Sequence, residues 1–190
     1  KMKLLSFIRL GKTGFGAVVN NGIIDLTGKI DPNVNTIKEL ISLNMEDRAE
    51  EYIVGKTKDL SFSDISFLPV IPDPEKIMCI GLNYLEHKKE TGRPDVDNPT
   101  IFTRFADSQV AHLQPMIKPD NSDRFDYEAE MAIIIGKGGR FISEDEALNH
   151  IAGYACYNDG SIRNYQRHTS QFTPGKTFPG TGGFGPYMVT

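Results

Sequence analysis

The sequence predicts a mixed β fold with some α, an α+β protein laid out in two parts. Three observations predict it. Short apolar or alternating runs, bounded by Gly, Pro and Asn, recur along the whole chain, as strands require. Helical periodicity is confined to a few segments, the clearest at 36–54. A stretch with three prolines, LPVIPDPE at 68–75, reads as a linker. We therefore expect residues 1–70 to form a small N-terminal α+β domain and residues 71–190 a second, larger one.

The elements follow in order. KLLSFIRL (3–10) and GAVVNNGIIDL (16–26) read as strands, with Asn20-Asn21-Gly22 as a hairpin turn signal. Between them, GKTGFG (11–16) superficially resembles a phosphate loop. The full spacing and the following helix are absent, so it reads as a hairpin turn. Over 36–54, Ile37, Leu40, Ile41, Ala49 and Ile53 recur at helical spacing and are expected to face a core. KIMCIGLNY opens the second part as a β-rich run, followed by a short polar helix near 84–91 and a proline turn at 92–100. IFTRF and DYEAEMAIIIG are strands separated by a long loop. Ser143 and Glu146 have the spacing of a capping box and predict a helix start. IAGYACYND is an apolar strand closing on Asp159, GSIRNYQRH a short helix, and PGKTFPGTGGFGPYMVT a Gly/Pro-rich loop running into a strand.

Composition excludes several classes. The chain has 190 residues, with 21 basic and 25 acidic side chains and a net charge of −4. No basic block points to nucleic acid. No apolar run approaches the ~20 residues that cross a bilayer. Cys79 and Cys156 lie in apolar strand-like runs and read as buried, reduced thiols. We expect a cytoplasmic protein. The sequence stops within a strand pattern at Tyr187-Met188-Val189-Thr190, so we expect a piece of a longer chain.

The chemistry gathers in three places. In RFDYEAEMAIIIG, Glu128 and Glu130 share one face of a strand whose two faces both read as covered. Two carboxylates placed this way repel each other and lose hydration, which a cation relieves. Asp159 adds a third carboxylate. Oxygen ligands without a Cys/His cluster suit Mg²⁺, Mn²⁺ or Ca²⁺ better than zinc. The alternative is an edge strand whose glutamates pair with lysines. His87 and Glu90 stand at i and i+3, where a carboxylate can orient an imidazole as a general base; taken alone, an exposed helix with charges all round is the commoner explanation. Arg163 and Gln166 share a helix face and could grip a substrate carboxylate. Lys176, in PGKTF, could neutralise a developing enolate; a solvated helix and a surface lysine are the plain alternatives.

From Lys76 onward the chain resembles the fumarylacetoacetate hydrolase family. The runs that carry the resemblance are IMCIGLNYLEHKKETG, PTIFTRF, DYEAEMAIIIGKGGR, AGYACYNDGSIRNYQ and GKTFPGTGGFGPYMVT, in family order. The resemblance implies a mixed-sheet, sandwich-like roll, a divalent metal (Mg²⁺, or Mn²⁺ or Ca²⁺) on Glu128, Glu130 and Asp159, and a His87–Glu90 dyad. It also implies Lys176 as the catalytic lysine, Arg163 and Gln166 on the substrate's oxoacid end, and a homodimer. The implied activity is hydrolysis of a C–C bond in a 2,4-dioxo acid through a metal-stabilised enolate. The alternatives are a decarboxylase, isomerase or hydratase of 2-oxo acids at the same site, and a non-catalytic oxoacid-binding protein. A later G-T-P-x-G segment of the family is not in this sequence, so we expect the family domain to be incomplete here.

Overall fold

In a computed structural model, residues 1–86, 89 and 97–190 are described. Strands dominate. β1 (Lys3–Arg9), β2 (Lys12–Val19) and β3 (Gly22–Asp25) make an antiparallel meander. Its two tight turns need positive φ, and Leu10-Gly11 and Asn20-Asn21 supply it. The 16–26 run is therefore two strands folded at Asn20-Asn21, and most of GKTGFG is strand, with the turn one residue earlier than expected.

The periodic segment 36–54 becomes two helices, α1 (Ile37–Ser42) and α2 (Glu46–Ile53). Thr36 caps α1 by accepting from the Glu39 backbone N–H. The break falls at Asn44, which takes a left-handed φ of 52°. Ile37, Leu40, Ile41 and Ala49 are buried as the periodicity requires, and Ile53 packs against them partly buried.

The remaining strands are β4 (Ser66–Phe67), β5 (Ile77–Gly81), β6 (Thr100–Arg104), β7 (Gln109–Val110), β8 (Phe125–Asp126), β9 (Ala129–Ile135), β10 (Ile151–Asp159), β11 (Ser161–Ile162) and β12 (Gly182–Val189). The main sheet runs β3-β2-β1-β12-β10-β9, with β4 added to β1 and β7 to β12. Two small ribbons, β5–β6 and β8–β11, complete the β structure. Among the described residues the main sheet stays open and does not close into a barrel. β12 joins the two ends of the chain: it pairs with β10 on one side, and its Val189 and Met188 meet Lys3 and Leu4 of β1. One apolar cluster consequently spans Leu4, Phe15, Leu26, Leu40, Ile134, Phe184 and Met188. No helix is long and apolar enough to cross a membrane among the described residues.

Three local expectations fail for physical reasons. Ser143 opens no α-helix: a turn and a short 3₁₀ segment, Ala147–His150, stand there instead. The Ser143 hydroxyl bonds the Asp145 carboxylate rather than capping, and Leu148 has no core to face, being exposed. β9 is not internal. Among the described residues it pairs only with β10, and Met131, Ile133 and Ile135 are exposed on its outer face. Cys156, beside Met131 in register, is exposed with them; Cys79 is half-buried, and both are free thiols.

Candidate functional site

The site forms where β9 and β10 end. Their antiparallel register places Tyr157 opposite Glu130 and Asn158 opposite Ala129. Just beyond the ladder the Asp159 backbone N–H donates to the Glu128 carbonyl at 2.8 Å, and the Asn158 side chain accepts from the Glu128 N–H at 3.1 Å. Glu128 and Asp159 are thus held side by side by backbone pairing, before any side chain acts. Asp159 is buried, while Glu128 and Glu130 are partly covered.

A short helix brings the cation. After β11, which pairs with β8, come α3 (Arg163–Gln166) and α4 (Thr173–Lys176). Gly175 lets α4 approach α3, since a Cβ there would lie 2.3 Å from the Gln166 backbone nitrogen. Lys176 is consequently not in an open loop. It ends α4 with 1% of its surface exposed, and its ammonium donates to Glu128 Oε2 and, at 2.7 Å, to Asp159 Oδ2. Arg163 donates to the other Glu128 oxygen at 2.6 Å, to Gln166 Oε1 at 2.9 Å and, through Nε and Nη2, to Asp126. Gln166 accepts through Oε1, leaving its amide N–H groups as donors.

These contacts divide the carboxylates electrostatically. Burial pushes the Glu128 carboxyl up, but Lys176 and Arg163 outweigh it and hold the group below the usual carboxylate range. Glu130 goes the other way. Burial and the neighbouring charges of Glu128 and Asp159 raise it, and a hydrogen bond from the half-exposed Tyr84 offsets only part of this. Across the site on β5, burial and the Asp159 charge push the Cys79 thiol up to about 12. Among the described residues, no three Asp, Glu, His or Cys side chains stand close enough to hold an ion as they are. Lys176 occupies the place between Glu128 and Asp159. The donor chemistry nonetheless fits a hard divalent ion: Glu128, Glu130 and Asp159 offer only oxygen, and the charges of Glu128 and Asp159 raise Glu130, a repulsion that a cation would relieve.

Of the eight residues singled out from sequence, six come together here: Glu128, Glu130, Asp159, Arg163, Gln166 and Lys176. His87 and Glu90 lie outside the described residues. The edge-strand alternative also has support, since among the described residues β9 is an edge strand, and Lys176 pairs with Glu128. Sequence reasoning passed over Arg104, Tyr84 and Asp126. Arg104 had a signal: in TIFTR, alternation puts it on the same face as Phe102, and both are buried.

Residues 76–190 match the family described as fumarylacetoacetate (FAA) hydrolase, C-terminal. The chain belongs to the fumarylacetoacetate hydrolase family. It is 43% identical over 133 residues to the mitochondrial oxaloacetate tautomerase of Xenopus laevis, covering 69% of this chain and 42% of that protein. Its fold is similar to the fumarylacetoacetate hydrolase from psychrophilic Exiguobacterium antarcticum, with a TM-score of 0.78 at 28% identity over 100% of this chain and 67% of that one. It is also similar in fold to a maleylpyruvate hydrolase from Sphingobium sp. SYK-6, solved with manganese(II) and pyruvate. There the TM-score is 0.78 at 23% identity, over 100% of this chain and 67% of that one. The chain spans between 42% and 64% of the length of the curated relatives it matches first.

Proposed function

We propose that the protein is an enzyme of 2-oxo acids that works through their enol forms, and that its reaction is proton transfer: keto–enol tautomerisation of a small 2-oxo dicarboxylic acid of the oxaloacetate type. One observation carries this reading. Lys176 brings a buried ammonium to the point where Glu128 and Asp159 meet, so a negatively charged oxygen bound beside them finds a hydrogen-bond donor at hand. The Xenopus relative's name supports tautomerisation over hydrolysis.

Glu128, Glu130 and Asp159 would hold the divalent cation, Mg²⁺ or Mn²⁺, with Glu130 as the carboxylate most in need of it. When bound, the ion supplies Lewis acidity that makes the carbon beside the substrate carbonyl easier to deprotonate. This chain's own residues would supply the other roles, with His87, oriented by Glu90, as the base that takes the proton from that carbon and passes it to the carbonyl oxygen. Lys176 neutralises the charge that develops on the carbonyl oxygen. Arg163 and Gln166 bind the terminal carboxylate, which exchanges for the Glu128 contact that Arg163 makes in the free protein. Burial at Lys176 and Asp159 keeps water from screening these contacts.

A second reading rests on His87 and Glu90. Their i, i+3 spacing suits a general base, which in C–C hydrolysis of a 2,4-dioxo acid would take its proton from water rather than from the substrate carbon. The exposed apolar face of β9 offers a surface for pairing two copies, in keeping with a homodimer. The relatives' names favour a mitochondrial rather than cytoplasmic residence.

The test is a metal-dependent enol assay on the full chain. Enol-oxaloacetate should disappear faster than the uncatalysed rate with Mg²⁺ or Mn²⁺, return to background with excess chelator, and give no pyruvate. Cleavage of an acylpyruvate into a carboxylic acid and pyruvate would transfer the site to the hydrolase reading. Mn²⁺ binding with neither reaction would sink the enzyme reading.

A further inference from the structure

Among the described residues Arg104 is the largest side chain that is wholly buried, and the roles proposed for the site give it no task. It ends β6, on the small β5–β6 ribbon, and reaches into the main sheet beside the site. Its fork is nearly filled. Nη1 donates to Asp159 Oδ1 at 2.6 Å and to the Gly160 carbonyl at 3.0 Å. Nη2 donates to Thr181 Oγ1 at 2.9 Å, and Nε to Ser108 Oγ at 3.3 Å. Thr181 and Ser108 are themselves fixed, donating to the Phe178 and Phe105 carbonyls. The Tyr157 ring stands 5.9 Å from the guanidinium carbon.

The space is shaped for this group. At Gly182 on β12 a Cβ would lie 2.7 Å from Arg104 Nη2 and 2.4 Å from the Tyr157 hydroxyl, so any larger residue displaces the fork. A guanidinium enclosed in this way has one planar orientation, and a carboxylate bound to it inherits that orientation. The two oxygens of Asp159 are thereby given different work. Oδ1 belongs to Arg104; Oδ2 points to Lys176 Nζ and the side of Glu128.

We propose that Arg104 is a positioning residue for the cation site: by locking Oδ1 of Asp159 it presents Oδ2 alone to whatever cation sits between Asp159 and Glu128. This rests on the reading that Glu128, Glu130 and Asp159 hold a divalent ion. Arg104 touches neither ion nor substrate. Without it, Asp159 can turn about its own Cβ–Cγ bond and offer both oxygens or neither. Partners that orient metal ligands typically contribute roughly 10–100-fold to metal affinity. Lysine keeps the charge but cannot hold Oδ1, Gly160, Ser108 and Thr181 together, so charge and orientation separate.

The experiment titrates Mn²⁺ alone into the full chain by calorimetry, and records the electron paramagnetic resonance spectrum of the bound ion. It compares wild type with Arg104→Lys well below both unfolding temperatures. We expect Arg104→Lys to weaken Mn²⁺ at least about tenfold and to change the zero-field splitting, the mark of an altered ligand set. Thr181→Val and Ser108→Ala, which loosen the fork and leave every charge in place, should shift the spectrum the same way by a smaller amount. They also carry the test should Arg104→Lys not fold. A merely structural arginine would lower the unfolding temperature and leave affinity and spectrum unchanged; that result overturns the inference. Wild type that binds no Mn²⁺ overturns the cation reading beneath it, and so the two failures are told apart.

Discussion

Replacing Lys176 with methionine keeps the unbranched stem, one atom shorter, and removes the cation that Glu128 and Asp159 share. The lysine side chain is 2% exposed, and those of Glu128 and Asp159 are 18% and 6% exposed. Breaking a buried pair by deleting one partner costs about 3–5 kcal/mol. Each carboxylate keeps a second partner at 2.6 Å, Arg163 on Glu128 and Arg104 on Asp159, which puts the cost at the lower end, about 3 kcal/mol. For a chain of this size that lowers the midpoint by roughly 6–12 °C. Lys176 also occupies the place a divalent ion needs, so its loss should make Mn²⁺ a stronger stabiliser. An ion at about 100 times its Kd adds about 2.7 kcal/mol, enough to restore most of what the variant loses. The assay is thermal unfolding by circular dichroism, first in chelator and then with Mn²⁺. A variant as stable as wild type in chelator, or one that Mn²⁺ stabilises less than wild type, would refute the claim that lysine and ion compete for the same carboxylates.

Other predictions follow from the same geometry. Glu130→Gln should raise the unfolding temperature in chelator at neutral pH, because a raised native carboxyl disfavours the folded state once it ionises, and it should weaken Mn²⁺ binding in a direct titration. Glu128 carries the opposite sign: its native carboxyl lies below the unfolded value, so the stability it supplies is present above the ordinary carboxylate range and is lost as pH falls through its native value. Glu128→Gln should therefore flatten the acid limb of a stability-versus-pH curve. Ile133→Glu, on the exposed face of β9, should change unfolding free energy by no more than about 0.5 kcal/mol while weakening any self-association measured by sedimentation.

Much of the site was legible in the chain because it is built from local patterns. Glu128 and Glu130 announce themselves by alternation on one strand, and Asp159 by its place at the end of another. Their meeting depends on β9–β10 register, which the two apolar runs specify between them. The helices at 36–54 were legible for the same reason, since their apolar face is wide and their core exists. Elements that failed lacked a partner to enforce them. Ser143 and Glu146 have capping-box spacing, but no apolar face follows, and a cap without packing does not hold a helix. β9 reads as internal because both its faces are apolar or carboxylate, and nothing in its own residues tells a covered face from an uncovered one. Arg104 was missed because its role is non-local: its partners Ser108, Asp159, Gly160 and Thr181 are up to 77 positions away.

The central claim is that this site makes and holds an enol form of a 2-oxo acid, and deuterium exchange tests it without choosing between tautomerase and hydrolase. Oxaloacetate in D₂O would be followed by proton NMR at its C3 position, with the full chain and Mg²⁺, the uncatalysed rate being subtracted. We predict exchange well above background that stops in chelator and is lost in Lys176→Met. Exchange at the background rate, with the ion demonstrably bound, would contradict it.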